Sequence, residues 1–134
     1  MIRRRDIVMP EVKFYRCNHC GNIVQMIEDH QVVPVCCGEP MELLVANTSD
    51  GATEKHVPYV KMEDGVLHVQ IGSVEHPMLP EHHIAWIYVQ TSKGGQMKYL
   101  KVSEPPVAAF KLHDEEVVAV YEYCNLHGLW KLDM

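Results

Sequence analysis

Four of the 5 cysteines lie close together near the amino terminus, where they could hold a metal ion. Cys17 and Cys20 form a C-x2-C pair, and the adjacent Cys36 and Cys37 follow after a short spacer. Four thiolates make a tetrahedral ligand set that both zinc and iron accept. A zinc ribbon normally has two C-x2-C pairs, and the adjacent cysteines depart from that pattern. Because Cys17 and Cys20 lack a βαβ setting, redox disulfide chemistry is the weaker alternative.

The 9 histidines supply a second group of candidate ligands. A single histidine is more often a surface or hydrogen-bonded residue than a ligand, so its neighbours decide the interpretation. Four lie on a strand face, in polar turns or inside the cysteine turn, and we expect them outside any site: His68, His30, His113 and His19. The others lie at predicted strand ends or loops, together with the fifth cysteine: His56, His76, His82, His83, His127 and Cys124. Adjacent residues of an extended segment point to opposite faces, so only one of His82 and His83 can join a shared cluster.

Strand-like patterns predict the elements that must position these residues. Leu67, Val69 and Ile71 alternate with polar residues, which predicts a half-buried strand paired through a turn with residues 59–62. A β-branched and aromatic run over 84–91, a turn at 93–96 and a return over 97–102 predict a second hairpin. Further strands are predicted over 107–112, 116–123 and 129–132. Six or seven short strands and no convincing amphipathic helix indicate an all-β chain with an antiparallel sandwich.

Composition shifts divide the sequence into four segments. We expect an amino-terminal extension over 1–8, a metal-stapled module over 9–45, a linker over 46–53 and the sandwich over 54–134. The linker residues are small and polar and include turn formers. The first module is too short to build an adequate hydrophobic core, so its four thiolates must serve as a staple.

Charge and hydropathy exclude several classes of function. Lys+Arg total 12 against 18 Asp+Glu in 134 residues, and the formal net charge of −6 argues against a nucleic-acid or anionic-membrane surface. No apolar run approaches the roughly 20 residues of a membrane-spanning helix. Asp6 and Pro10 interrupt the basic start before an export signal can form. We therefore expect a cytoplasmic protein, in which thiols stay reduced and cysteine clusters usually hold metal.

Four motifs, in this order and spacing, are similar to the desulfoferrodoxin family of two-iron superoxide reductases. They are Cys17-x2-Cys20-x15-Cys36-Cys37-Gly38, Glu54-Lys55-His56-Val57-Pro58, Gly72-Ser73-Val74-Glu75-His76-Pro77-Met78 with His82 beyond it, and Cys124-Asn125-Leu126-His127. The resemblance covers essentially residues 9–134. The eight residues before Met9 depart from the family pattern.

The resemblance implies two iron centres per chain. The first module would be desulforedoxin-like, with an FeS4 centre on its four cysteines, and the second an immunoglobulin-like sandwich. The catalytic iron would take four equatorial nitrogens and one axial thiolate, from His56, His76, His82, His127 and Cys124. The family's glutamate can occupy the sixth position of oxidised iron and its lysine attracts the anion, which implies these roles for Glu54 and Lys55. If this segment is extended, the two side chains point to opposite sides.

The resemblance also implies an activity and partners. The enzyme would reduce superoxide by one electron to hydrogen peroxide, a detoxifying reaction under oxidative stress, and the FeS4 centre would serve in electron transfer. A homodimer and a rubredoxin-like electron donor are the implied partners.

Two alternatives compete with this interpretation. A non-enzymatic electron carrier, rubredoxin-like or blue-copper-like, could also use these ligand types. A blue-copper site uses two histidines, one cysteine and a weak axial methionine, but no methionine closely follows His127, and two histidines would be left unused. A zinc-stapled interaction domain would explain Cys17 to Cys37 but not the second cluster.

Overall fold

The computed structural model describes residues 11–49 and 51–134, which fall into two compact units, 11–45 and the remainder from 46 onward. Nearly all regular structure is β, as the sequence predicts. The predicted extension over 1–8 lies outside the described residues. Among the described helices, none has the length and apolar character needed to cross a membrane.

The first unit is built from short strands. They are β1 (Phe14–Arg16), β2 (Ile23–Gln25), β3 (Val35–Cys36), β4 (Glu39–Pro40) and β5 (Glu42–Leu43). A three-stranded sheet has the order β2-β1-β5, and β3 and β4 form a separate hairpin. The core of this unit is a small cluster of Tyr15, Cys17 and Met41, whereas Ile27 and Val32 are exposed. So small a core agrees with the expected need for a staple.

The second unit is a β-sandwich. Its elements are α1 (Thr53–His56), β6 (Pro58–Glu63), β7 (Val66–Ile71), β8 (Ile84–Thr91), β9 (Gly94–Tyr99), β10 (Val107–Lys111), β11 (Val117–Cys124) and β12 (Gly128–Asp133). One sheet has the order β10-β7-β6 and the other β12-β11-β8-β9, all antiparallel. Both sheets contribute fully buried side chains to one core, among them Leu67 and Phe110 from the first sheet and Ile87 and Val120 from the second.

The hairpin of β8 and β9 differs from its predicted form. The glycines expected in the turn lie inside β9, and the turn is formed by residues 92–93. Gly95 pairs with Gln90, and a Cβ at Gly95 would collide with the ring and hydroxyl of Tyr88. The glycine therefore makes room for a cross-strand aromatic side chain, and strand β9 begins earlier than the predicted residue 97 and ends earlier than residue 102.

Residues 46–53, expected to be a linker, are hydrogen-bonded within the second unit. The Asn47 side chain donates to the carbonyl of Lys131 at 3.2 Å and accepts from its N–H at 2.8 Å. The Ser49 hydroxyl donates to the carbonyl of His127. The one-turn helix α1 follows; four residues are too few to produce a helical hydrophobic period, which is why the sequence pattern did not reveal it.

Candidate metal centres

The four cysteines of the first unit converge on one point. Their sulfur atoms all lie within 4.8 Å of one another, and all four thiols are free. Cys20 Sγ lies 3.7 Å from Cys36 Sγ, and Cys36 Sγ lies 4.0 Å from Cys37 Sγ. A disulfide would need about 2.05 Å, whereas metal–sulfur bonds of about 2.3 Å in a tetrahedron place sulfurs about 3.8 Å apart. The cluster fits a tetrahedral metal ion.

The hairpin turn explains how adjacent cysteines can bind one ion. Cys36 ends β3 and pairs with Glu39, so the two-residue turn is Cys37-Gly38. Both turn residues have positive φ, 52° at Cys37 and 78° at Gly38, as a type I′ hairpin turn requires. Because of this turn, the side chain of Cys37 does not follow the alternation of a strand, in which successive side chains point to opposite faces. Both sulfurs can then face the same side, in contrast to neighbours on an extended strand.

Backbone N–H donors and neighbouring thiols shift the pKa values of the first cluster in opposite directions. Hydrogen bonds from the backbone N–H groups of Cys20 and His19 lower the pKa of Cys17 to about 6. Hydrogen bonds with Cys17 and Cys20 raise the pKa of Cys36 to about 12. Protein groups alone therefore favour the thiolate of Cys17 but disfavour the thiolates of Cys36 and Cys37. A bound cation would supply the charge that holds all four thiolates together.

The second unit gathers the other five candidate donors. One ligand atom from each lies within 4.8 Å of every other: His56, His76, His82, Cys124 and His127. His56 Nε2 is 3.1 Å from His76 Nε2 and 3.0 Å from His127 Nδ1. Metal–nitrogen bonds of about 2.1 Å at right angles place neighbouring nitrogens about 3.0 Å apart. The spacing fits adjacent positions around one metal ion.

The donors reach this point from three parts of the sandwich. His56 ends α1, His76 and His82 lie between β7 and β8, and Cys124 ends β11 with His127 in the loop that follows. The pairing of β11 with β8 shifts register between Tyr123 and Cys124, because Tyr123 pairs with Trp86 and Cys124 pairs with Ile84. Cys124 Sγ lies 3.6 Å from His76 Nε2. His83, the other member of the adjacent pair, lies outside the cluster.

Backbone carbonyls fix which ring nitrogens face the centre. Nδ1 of His56 lies 2.8 Å from the carbonyl of Ala52, and Nδ1 of His76 lies 2.7 Å from the carbonyl of Pro77. With a proton on each Nδ1, the Nε2 lone pairs of both rings point inward, the arrangement that metal-binding histidines use. His82 Nε2 is buried without any hydrogen-bond partner. A metal ion would satisfy this orphaned atom.

Burial favours the uncharged form of four groups in the second cluster. Burial lowers the pKa of His76 to about 4 and also lowers the pKa of His56 and His82. Burial likewise raises the pKa of the Cys124 thiol. At neutral pH the imidazoles of His56, His76 and His82 are therefore available as neutral ligands. A metal ion that replaced the thiol proton of Cys124 would find four nitrogens and one thiolate already gathered, a donor set suited to iron.

Trp130 is a contact of this cluster that the sequence analysis missed. Its ring stacks on His56 with centroids 4.9 Å apart, and its indole N–H donates to the carbonyl of His127 at 3.0 Å. Trp130 is buried in β12. The sequence contained one indication of this contact. Trp130 follows His127 by only three residues, at the start of the strand that leaves the ligand loop, so its side chain can lie near the same site.

The structure places Glu54 and Lys55 on α1, both exposed, and corrects the extended conformation considered for them. In a helix their side chains point about 100° apart rather than to opposite sides. Gly72 permits the close packing of this turn, since a Cβ there would lie 2.7 Å from both the Glu54 carbonyl oxygen and Lys55 Cα. Burial is the main cause that lowers the pKa of His56 and His82, and the positive charge of Lys55 is a smaller cause in the same direction.

Glu122 gives the second unit a pH dependence of its own. The side chain is fully buried, and both carboxyl oxygens lack a hydrogen-bond partner. Burial raises its pKa well above 4.5, so the native state keeps a proton that the unfolded chain releases. Stability from this group is therefore present below the unfolded pKa and is lost as pH rises toward the native pKa, by at most about 1.4 kcal/mol per pH unit.

We expect Glu122→Gln to remove this loss. Urea unfolding of variant and parent, followed by tryptophan fluorescence between about pH 5 and about pH 8, measures the difference. The stability gained by the variant should grow with pH. A difference that stays constant over this range would contradict a protonated native Glu122.

Comparison with known proteins gives a consistent result over the whole described chain. The family model described as "Desulfoferrodoxin" matches residues 48–133, and that described as "Desulfoferrodoxin, N-terminal domain" matches residues 10–44. Desulfoferrodoxin from Nitratidesulfovibrio vulgaris is 45% identical over 92% of this chain and 97% of that protein. A superoxide reductase from Pyrococcus horikoshii is 35% identical over 63% of this chain and 89% of that protein.

A solved structure extends the similarity to the fold. The crystal structure of the superoxide reductase from Treponema pallidum matches with a TM-score of 0.79 and 37% identity, covering 92% of this chain and 100% of that one. The family models and the curated relatives confirm the family predicted from the four motifs, and the chain belongs to the desulfoferrodoxin family.

Proposed function

We propose that this chain is a superoxide reductase that converts superoxide into hydrogen peroxide with one electron and two protons. The observation that carries the proposal is the cluster of four imidazoles and one buried thiol, with an exposed cation, Lys55, on the adjoining helix. Relatives that match this chain bear the names desulfoferrodoxin and superoxide reductase. The chemistry of the two donor sets fits two iron ions per chain.

Each site residue has a proposed role. Residues 9–45 form the module whose Cys17, Cys20, Cys36 and Cys37 hold the FeS4 centre for electron transfer. The unit over 54–134, joined through 46–53, would hold the catalytic iron through His56, His76, His82, His127 and Cys124. An iron bound by these five donors could still accept a small molecule.

The chain's own residues contribute to the reaction in four ways. Iron held by this donor set supplies the electron that superoxide takes up. The carbonyls of Ala52 and Pro77 hold the His56 and His76 rings in one tautomer, so the ligands need no rearrangement. The thiolate of Cys124 donates electron density that favours the oxidised metal. Lys55 would attract the anion, and the Glu54 carboxylate would be available as a further ligand after oxidation.

We also propose a setting for the enzyme. Its free thiols and cysteine-based centre suit a reducing cytoplasm, where it would remove superoxide under oxidative stress. A homodimer and a rubredoxin-like electron donor complete this proposal.

Metal analysis and stoichiometry test the function. The purified protein should contain two iron ions per chain, with separate optical bands for the sulfur-only and the mixed-ligand centre. Once reduced, it should yield one hydrogen peroxide for each superoxide consumed, because reduction needs no second superoxide. One peroxide for every two superoxides with release of oxygen would indicate dismutation, and no consumption of superoxide would favour the electron-carrier alternative.

We expect the positive charge of Lys55 to affect the rate of encounter with superoxide more than the chemical step that follows. The protein's net charge of −6 repels superoxide on average, so a fast reaction needs a cation close to the site. We expect Lys55→Glu to lower the second-order rate constant for superoxide by about tenfold or more at low salt, with a much smaller loss for Lys55→Arg. Pulse radiolysis across a range of salt concentrations measures this, and the difference should shrink as salt screens the charges.

Lys61→Glu is the matched control, because it makes the same change of net charge on an exposed lysine of β6 that pairs with Glu63. Its rate constant should stay near that of the parent. Equal losses in the Lys55 and Lys61 variants would show that net charge, and not the position of Lys55, governs the encounter.

A further inference from the structure

Asn125 lies between the proposed ligands Cys124 and His127, yet its hydrogen bonds reach the loop of another ligand. Its side-chain oxygen accepts a hydrogen bond from the backbone N–H of His83 at 2.8 Å. Its side-chain nitrogen donates to the carbonyl of Glu81 at 3.1 Å, and its backbone N–H donates to the carbonyl of His83 at 3.1 Å. Asn125 therefore holds the residues on both sides of His82.

His82 is the ligand that most needs such support. The rings of His56 and His76 are each fixed by a backbone carbonyl at Nδ1. For His82, the residues described in 11–49 and 51–134 provide no hydrogen bond of this kind, and its buried Nε2 has no partner. The His82 backbone bonds to Leu79 across a tight turn, which closes the loop on itself but does not attach it to β11.

We propose that Asn125 is the positioning residue for His82, an inference that rests on the proposed metal centre. The three hydrogen bonds join the loop of Cys124 and His127 to the loop of His82, so that donors from separate segments keep one spacing. Ligand positions must be held to about 0.5 Å for a metal site to work well. Loss of the Asn125 side chain would leave the His82 loop attached to the Cys124–His127 loop by one of these three hydrogen bonds, the backbone one.

Iron release measures this role directly. Asn125→Leu keeps a similar side-chain volume and removes both side-chain hydrogen bonds. Starting from the iron-loaded reduced protein, we expect a ferrous chelator to remove the mixed-ligand iron about tenfold faster or more, the scale on which groups that orient ligands affect metal sites. The electron paramagnetic resonance spectrum of the oxidised centre should also change, while the FeS4 absorption stays as in the parent.

A graded variant and a control separate positioning from general destabilisation. Asn125→Asp keeps the acceptor for the His83 N–H but loses the donor to Glu81, so its release rate should lie between those of the parent and Asn125→Leu. Gln96→Leu removes a side-chain hydrogen bond to the Lys111 carbonyl near the opposite end of β8, and should leave release and spectrum unchanged.

The outcomes decide two questions separately. Parent-like release and spectra in both Asn125 variants would overturn the positioning role while leaving the metal centre intact; should Asn125→Leu fail to fold, Asn125→Asp alone decides. A parent protein without the mixed-ligand iron signal would overturn the proposed function and this inference with it.

Discussion

Replacing Cys124 by serine is expected to abolish superoxide reduction by the pre-reduced protein, with a loss of more than about a hundredfold. Removal of groups that merely orient ligands commonly costs 10–100-fold, and Cys124 is proposed to be a ligand itself. Cys124 is fully buried and 3.6 Å from His76 Nε2. Serine fits the same space, but its hydroxyl is a much weaker acid and donates less electron density than a thiolate. Stopped-flow mixing with superoxide measures the loss.

The first centre provides the internal control for this variant. The FeS4 absorption of Cys124→Ser should match that of the parent, because the two donor sets share no residue. Conversely, Cys17→Ser should damage the FeS4 centre and leave reduction by pre-reduced protein unchanged. Near-parent turnover in Cys124→Ser would contradict an axial role for the thiolate.

Removal of metal is expected to unfold the first unit and leave the sandwich folded. The first unit has a small core in which Cys17 is itself a proposed ligand, and its Ile27, Val32 and Val35 are exposed. Structural metal ions supply about 10 kcal/mol or more of folding free energy in comparable small modules. Nuclear magnetic resonance of the metal-free protein should therefore show loss of dispersed amide signals from residues 11–45.

The sandwich is the control in the same sample. Its core joins both sheets through side chains such as Leu67, Ile87, Phe110 and Val120, and none of these depends on metal. Amides of β7, β8 and β11 should keep their dispersion. Dispersed signals from the first unit without metal would show that its strands are stable by themselves.

The sequence predicted those parts of the site that depend on residue type and spacing. Motif order identified the family and both donor sets, and alternation along Leu67, Val69 and Ile71 identified a core strand. It also showed that only one of His82 and His83 can face a shared point. These features follow from periodicity and ligand chemistry, which are local properties of a chain.

What the sequence did not predict depends on contacts between distant residues. Gly95 lies within β9 because of the facing Tyr88 ring, and helix α1 is set by close packing against Gly72. The stacking of Trp130 on His56 and the bonds of Asn125 to the His82 loop appear only once β11 and β12 are placed. No periodicity of one segment carries this information.

The separation of the ligands along the chain determines the order in which the two metal sites form during folding. In the first unit, Cys20 and Cys36 are 16 positions apart, and closing so short a loop has a small entropic cost. In the second, His56 and His127 are 71 positions apart and meet only after the long-range pairing of β8 with β11, which is slow. During synthesis the four-cysteine site can therefore form early, and the site of four histidines and one cysteine forms last. Iron would then drive folding in one unit and bind after folding in the other.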